Sequence, residues 1–234
     1  MLPLPPRVSS LAAFFAILTL GTAGSLADAR PSADAAKWEA LVQKKLREPA
    51  PEEGAVIALG SSSIARWTTI HEDLAPLRVY NMGIGGSQMQ HAVQWFLPKL
   101  VLPFRPRGVL LYEGSNDLAA GVSPAEVLLQ FQLLHKQLHE ALPETRLFVI
   151  SIMAGPGKRF EKWEAIQEAN HLLETECAQY PWMRFLDTTQ ALLDPNGRPR
   201  PECFIPNDIH MTPEGYAVWK KVVAPALLEA LSPP

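Results

Sequence analysis

From residue 55 to the end of the chain, short apolar runs alternate with longer amphipathic stretches. Five runs, at 55–59, 78–82, 108–113, 146–152 and 184–188, are nearly continuous in apolar residues. Runs of this kind predict strands covered on both faces, since a strand with one wet face would alternate polar and apolar positions. The stretches between them predict helices at roughly 34–47, 63–70, 87–99, 124–142, 160–179 and 213–231. Two of these helices announce their starts. Ser123-Pro124-Ala125-Glu126 offers an N-cap, a proline at the first helical position and a capping-box glutamate, and Thr212-Pro213-Glu214 repeats the signal.

Strand–helix alternation implies an α/β fold with a five-stranded parallel sheet and helices on both faces. No internal repeat, low-complexity segment or interdomain linker interrupts it. In open parallel sheets, ligands bind beyond the carboxyl ends of the strands. A polar residue just after a strand therefore sits on the functional edge.

The first segment reads differently. Arg7 precedes the apolar run "LAAFFAILTL" at 11–20, which gives way to "GTAGSLADA". A charged start, a short apolar stretch and small residues describe a signal peptide. The stretch is too short to span a bilayer as a helix of about 20 residues. Cleavage after Ala27 or Ala29 fits equally. The division expected is 1–27 signal peptide, 28–54 N-terminal helix and linker, and 55–234 the α/β domain, with the mature chain exported and not stably inserted in a membrane. The sequence leaves the oligomeric state open.

The 234 residues are 47% hydrophobic with a formal charge of −3, which suits one globular domain and gives no footprint for nucleic acid. Cys177 and Cys203 are the only cysteines; a disulfide and two separate thiols both fit. No metal-ligand set stands at recognisable spacing, so neither a metal nor an organic cofactor is expected. His135 and His139 lie four apart on one predicted helix, but lacking a third ligand they read as a solvated face.

Four polar motifs fall on the functional edge: Gly60-Ser61-Ser62-Ser63, Asn81 to Ser87 ("NMGIGGS"), Glu113-Gly114-Ser115-Asn116-Asp117, and Asn207-Asp208-Ile209-His210 ahead of the last helix. A serine hydroxyl attacks a carbonyl poorly until a base takes its proton, and imidazole is the usual base near neutral pH. The oxyanion that forms needs donors where its charge develops, which backbone N–H groups and an asparagine amide supply. The set suits acyl transfer to water. The glycines at 83–86 do not complete a dinucleotide fingerprint, and no P-loop occurs.

In order and content, "LGSSSIARW", "NMGIGGS", "YEGSND" and "HMTPEGYAVW" resemble the SGNH (GDSL-like) hydrolases, and within them the platelet-activating-factor-acetylhydrolase-like branch. The resemblance runs from about Val56 to Trp219. It implies a three-layer α/β/α, flavodoxin-like fold, Ser62 as nucleophile and His210 as general base. It also implies an oxyanion hole from Ser62 N–H, Gly86 N–H and the Asn116 amide. The chain departs from the family pattern twice. Ser61 stands where the usual Gly-Asp-Ser has its aspartate. The acid, normally three residues before the histidine, falls on Asn207, with Asp208 one residue later. Three arrangements remain open: Asp208 reaching the imidazole through a loop adjustment, Asn207 accepting its N–H, or a Ser–His pair held by a backbone carbonyl. The first is favoured.

The sequence therefore predicts an exported serine esterase acting on a small acyl ester, acetyl above all, carried by a carbohydrate or similar polar alcohol. Glu113, beside Asn116, is a substrate-binding candidate or a structural acceptor. Residues 153–162, "MAGPGKRFEK", are a candidate flap. The rival readings are a lysophospholipase or thioesterase of the same chemistry, a silent glycan-binding module motivated by Asn207, and a mononucleotide binder using the 83–87 turn.

Overall fold

The computed structural model describes residues 33–231; the predicted signal peptide lies outside them. Five strands form one parallel sheet: β1 (Val56–Gly60), β2 (Val79–Asn81), β3 (Gly108–Tyr112), β4 (Arg146–Ile150) and β5 (Met183–Leu186). Their order across the sheet is β2-β1-β3-β4-β5. Each lies inside or within one residue of a predicted apolar run. Every residue of β1 and β3 is buried, which is why those runs do not alternate.

The helices are α1 (Ala33–Lys45), α2 (Ser62–Ala65), α3 (Ile70–Asp73), α4 (Met89–His91), α5 (Ser115–Ala119), α6 (Pro124–Ala141), α7 (Trp163–Cys177) and α8 (Pro213–Leu231). They cover both faces of the sheet. Ile57, Leu59, Val109, Leu111, Leu147 and Val149 meet α1, α6 and α7 in one core, while Val56, Ala58, Leu110, Tyr112, Phe148 and Ile150 meet α2, α3 and α8 in the other. The two cysteines fall in different cores, both as free thiols. The pairing left open by the sequence is thus absent.

Three predicted helices differ in detail. The 63–70 prediction resolves into the short α2 and α3. The 87–99 prediction becomes α4 running into a π-helix at Ala92–Val101 that contains Pro98; proline has no N–H for the α-helical ladder, and a wider turn accommodates it. The 160–179 prediction begins instead with a 3₁₀ turn at Gly157–Lys162 before α7. Helix α6 has its expected start, with Glu126 N–H donating to Ser123 Oγ at 3.3 Å and Ser123 N–H to Glu126 Oε2 at 2.9 Å. At α8, Thr212 Oγ1 accepts from Gly215 N–H at 3.3 Å, so the residue completing the cap is a glycine and Glu214 plays no reciprocal part.

The histidines of α6 correct an expectation. His135 is buried, with Nε2 2.9 Å from Glu176 Oε1 on α7. His139 stacks on Trp182 at 4.4 Å between ring centroids. His135 thus faces the α6–α7 seam, and His139 is half-buried against the turn before β5, so the pair does not form a solvated face. Among the described residues no cluster of three potential metal ligands forms, and no helix is long and apolar enough to cross a membrane.

Candidate active site

The strand order reverses direction between β1 and β3, and a cleft opens beyond the carboxyl ends at such a switch point. Gly60 pairs with Tyr112, so β1 and β3 end level with one another. Ser62 opens α2 just beyond β1, and Asn116 lies in the first turn of α5 just beyond β3. The sequence thereby delivers a hydroxyl and a carboxamide to one place.

The loop after β2 closes against them. Asn81 Nδ2 donates to the carbonyl oxygens of Ile64 (2.6 Å) and Trp67 (3.3 Å), and its Oδ1 accepts from Gly83 N–H at 3.0 Å. A β-carbon on Gly83 would lie 2.3 Å from the backbone nitrogen of Ala65, so only glycine permits this approach. One added to Gly85 would stand 3.8 Å from Ser62 Cβ. Gly86 follows with φ 79°. Of this loop's N–H groups, those of Gly83, Ile84 and Ser87 are spent within the protein. That leaves little of a cradle for a nucleotide phosphate. The N–H groups of Ser62 and Gly86 meet no protein acceptor among the described residues.

His210 comes from the far end of the chain. It stands on a tight excursion between Phe204 and Met211, which bridge as antiparallel partners. Ile205 N–H donates to His210 O at 2.9 Å, and Asp208 N–H to Ile205 O at 3.0 Å. Within that turn Pro206 is followed by Asn207 with φ 61°, the left-handed conformation that asparagine tolerates and the third position of a type II turn requires. The turn takes up one residue. It brings Asp208 Oδ1 to 2.6 Å from His210 Nδ1, and His210 Nε2 to 2.9 Å from Ser62 Oγ.

The two remaining arrangements for the acid are not those formed. Asn207 is exposed on the turn and makes no hydrogen bond to the imidazole; it contributes through its backbone. Asp208 Oδ1 also accepts from the N–H groups of Ile209 (2.6 Å) and His210 (3.3 Å). The hydrogen bond to His210 is the main cause holding its carboxyl below the usual aspartate range, with the backbone N–H groups adding to it. Arg66 approaches Asp208 Oδ2 at 3.8 Å from the solvent side, too exposed to matter greatly. Tyr216 on α8 donates its hydroxyl to Ser63 O at 2.8 Å, tying the element after His210 to the residue after Ser62.

Asn116 is held from both ends. Its Nδ2 donates to Ser87 O at 2.8 Å, and its Oδ1 accepts from Arg159 Nη2 at 2.8 Å. An amide nitrogen carries two hydrogens, so one remains for a ligand. Arg159 also donates to the carbonyl of Ser115. It comes from the 3₁₀ turn at Gly157–Lys162, inside the segment read as a flap. That segment packs on the site: a β-carbon on Gly155 would lie 3.2 Å from Arg159 Cβ and 3.9 Å from Ile209 O. The sequence flagged the segment but gave no reason to choose Arg159 from it.

Glu113 is not a substrate contact. It is 2% exposed and shares a short hydrogen bond with the Ser87 hydroxyl. Burial pushes its carboxyl well above the usual range, and it serves as an internal partner of Ser87 under the Asn116 loop. Neighbouring Asp117, buried against Met89 N–H at 3.1 Å, is pushed up to about 6, also by burial.

The arrangement is a hydroxyl, an imidazole and a carboxylate in line, beside unspent N–H donors. Residues 53–218 match the family model of the GDSL-like Lipase/Acylhydrolase family. The chain belongs to this family. It is an ester-hydrolysing enzyme with the family's α/β fold. Over 165 residues it is 25% identical to platelet-activating factor acetylhydrolase IB subunit alpha1 of Pongo abelii, covering 69% of this chain and 70% of that protein. A GDSL-like lipase from Bacteroides thetaiotaomicron superposes with a TM-score of 0.66 at 18% identity, over 83% of this chain and 98% of that one. A catalytic mutant of an acetylxylan esterase from Geobacillus stearothermophilus does so with a TM-score of 0.60 at 13% identity, over 79% and 96%. At such identities these two structures share the acylhydrolase fold with this chain.

Proposed function

We propose that this GDSL-like acylhydrolase is an exported serine esterase that removes a small acyl group, acetyl above all, from a polar carrier such as a carbohydrate. The observation that carries the reading is the unbroken line Asp208–His210–Ser62, with contacts of 2.6 and 2.9 Å. In the reaction, Ser62 Oγ attacks the ester carbonyl carbon as His210 Nε2 takes the hydroxyl proton. The negative carbonyl oxygen accepts hydrogen bonds from Ser62 N–H, Gly86 N–H and Asn116 Nδ2. Collapse breaks the bond to the alcohol, which leaves with the proton from His210. Water then attacks the acyl-serine, gives its proton to His210, and releases the acid as Ser62 regains its hydrogen. Asp208 keeps Nδ1 protonated and faces the imidazolium formed in each half.

The glycan-binding alternative loses its motive, since it rested on Asn207 in the acid's place and the carboxylate meeting His210 is Asp208. The small-acyl preference rests on the short connections after the strands: only Ser61 lies between β1 and α2, and only Glu113 and Gly114 between β3 and α5, so little chain is available to wall a deep channel over Ser62. The acetylxylan esterase with the same fold supports the carbohydrate carrier by analogy. Export rests on the character of residues 1–27.

Hydrolysis of p-nitrophenyl acetate by residues 28–234, beside Ser62→Ala prepared identically, tests the reading. Saturable turnover that the variant lacks is expected. Equal slow rates from both proteins would remove it. A chain-length series of nitrophenyl esters and acetylated xylo-oligosaccharides then tests the acyl and carrier preference, with rates falling beyond short acyl chains.

A further inference from the structure

We propose that Arg159 is a positioning residue for the Asn116 oxyanion donor, acting through the carboxamide and not on the substrate; this rests on the serine-esterase reading above. An asparagine side chain at the edge of a cleft can rotate about its last bond and present either oxygen or nitrogen to a ligand. Only the nitrogen stabilises an oxyanion; the oxygen would repel it. Here the choice is made twice. Ser87 O, an acceptor, meets Nδ2 at 2.8 Å, and the guanidinium of Arg159, a donor only, meets Oδ1 at 2.8 Å. A flipped amide would set oxygen against carbonyl oxygen on one side and N–H against N–H on the other.

The cation does more than orient. A positive charge hydrogen-bonded to the amide oxygen draws electron density from nitrogen and makes the remaining N–H a stronger donor, the polarisation expected along a hydrogen-bonded chain of low solvent exposure. Arg159 is half-buried and fixed for the purpose. Its second nitrogen donates to Ser115 O, and its own turn is steadied by Arg198 lying 4.9 Å over the ring of Phe160. On the opposite side Ser87 is held by Glu113. The two supports come from segments after β2 and after β4, so the donor is clamped between loops on either side of it.

A double-mutant cycle with p-nitrophenyl acetate tests this. Arg159→Met is expected to lower kcat by on the order of 10- to 100-fold, the scale of a catalytic group loosened by about an ångström, with KM nearly unchanged. In an Asn116→Ala background the same substitution should change kcat by less than about 2-fold, because the group it positions is gone. Arg159→Lys, which keeps the charge and one donor, should recover part of the loss; run in both backgrounds, it carries the test if Arg159→Met does not fold. Equal losses with and without Asn116, or a rise in KM with kcat intact, would overturn the inference and make Arg159 a substrate contact. Wild-type turnover that survives Ser62→Ala would instead bring down the serine-esterase reading itself.

Discussion

Asp208 Oδ1 lies 2.6 Å from His210 Nδ1 although only Ile209 separates the two residues. The usual family spacing has one residue more. The left-handed Asn207 makes the shorter spacing work, since its φ of 61° turns the chain so that carboxylate and imidazole face each other.

Asp208→Asn and Asn207→Ala should therefore behave oppositely. Replacing an aspartate that orients a catalytic histidine by asparagine costs about 10⁴-fold in kcat where it has been measured in serine-protease triads. A loss of at least about 10³-fold is expected here. Asn207→Ala should leave kcat within a few-fold and lower stability by about 1 kcal/mol, the cost of a left-handed alanine; Asn207→Gly should be neutral. Steady-state kinetics and urea midpoints on the three variants check this. Wild-type kcat in Asp208→Asn would leave a Ser–His pair as the better description.

In the proposed reaction, Asn116→Ala removes one oxyanion donor of three. The expected cost is about 10²–10³-fold in kcat, with KM little altered, as for other single donors of this kind. Intact mass and a thermal melt should show a folded protein, so that the loss reads as chemistry.

Tyr216→Phe probes the tie between the two halves of the site. It leaves Ser63 O without its 2.8 Å hydroxyl donor, which should cost about 1–2 kcal/mol of stability. Because Ser63 follows the proposed nucleophile, a modest fall in kcat should accompany it. A variant as stable as the parent would show that the bond contributes nothing net.

Asp117 gives a stability prediction with a definite sign. Burial raises its carboxyl from 3.8 to about 6, so the folded state keeps a proton that the unfolded chain has already released. Its contribution is favourable at low pH and is lost as pH rises from about 4 to about 6, by about 3 kcal/mol in all. Glu113, also raised by burial, acts in the same sense. Urea midpoints for the parent and Asp117→Asn at about pH 4 and pH 7 are expected to diverge, the variant gaining on the parent at the higher pH. Parallel curves would mean that Asp117 titrates normally.

The five strands were legible because burial on both faces removes every polar position from a short run, and such runs stand out. The start of α6 was legible because Ser123 and Glu126 solve a local hydrogen-bonding problem. Helix α5 was not, and neither was the division of 63–70 into α2 and α3, since helices of four or five residues are held by what they pack against. The site's members were legible from their places after strands, which fix Ser62 and Asn116 by topology. The choice between Asn207 and Asp208 depended on one backbone angle, although Pro206-Asn207 was a turn signal in plain view. Arg159 and the burial of Glu113 were hidden, because each depends on a segment distant in the chain: Arg159 is paired with Asn116, and Glu113 with Ser87.

The most direct measurement is to quench the enzyme during turnover of p-nitrophenyl acetate in acid and map the acetylated peptide by mass spectrometry. The account expects one acetyl group per chain on Ser62, accumulating in His210→Ala only slowly and absent from Ser62→Ala. An acetyl group on another residue, or full turnover by Ser62→Ala without any adduct, would contradict it.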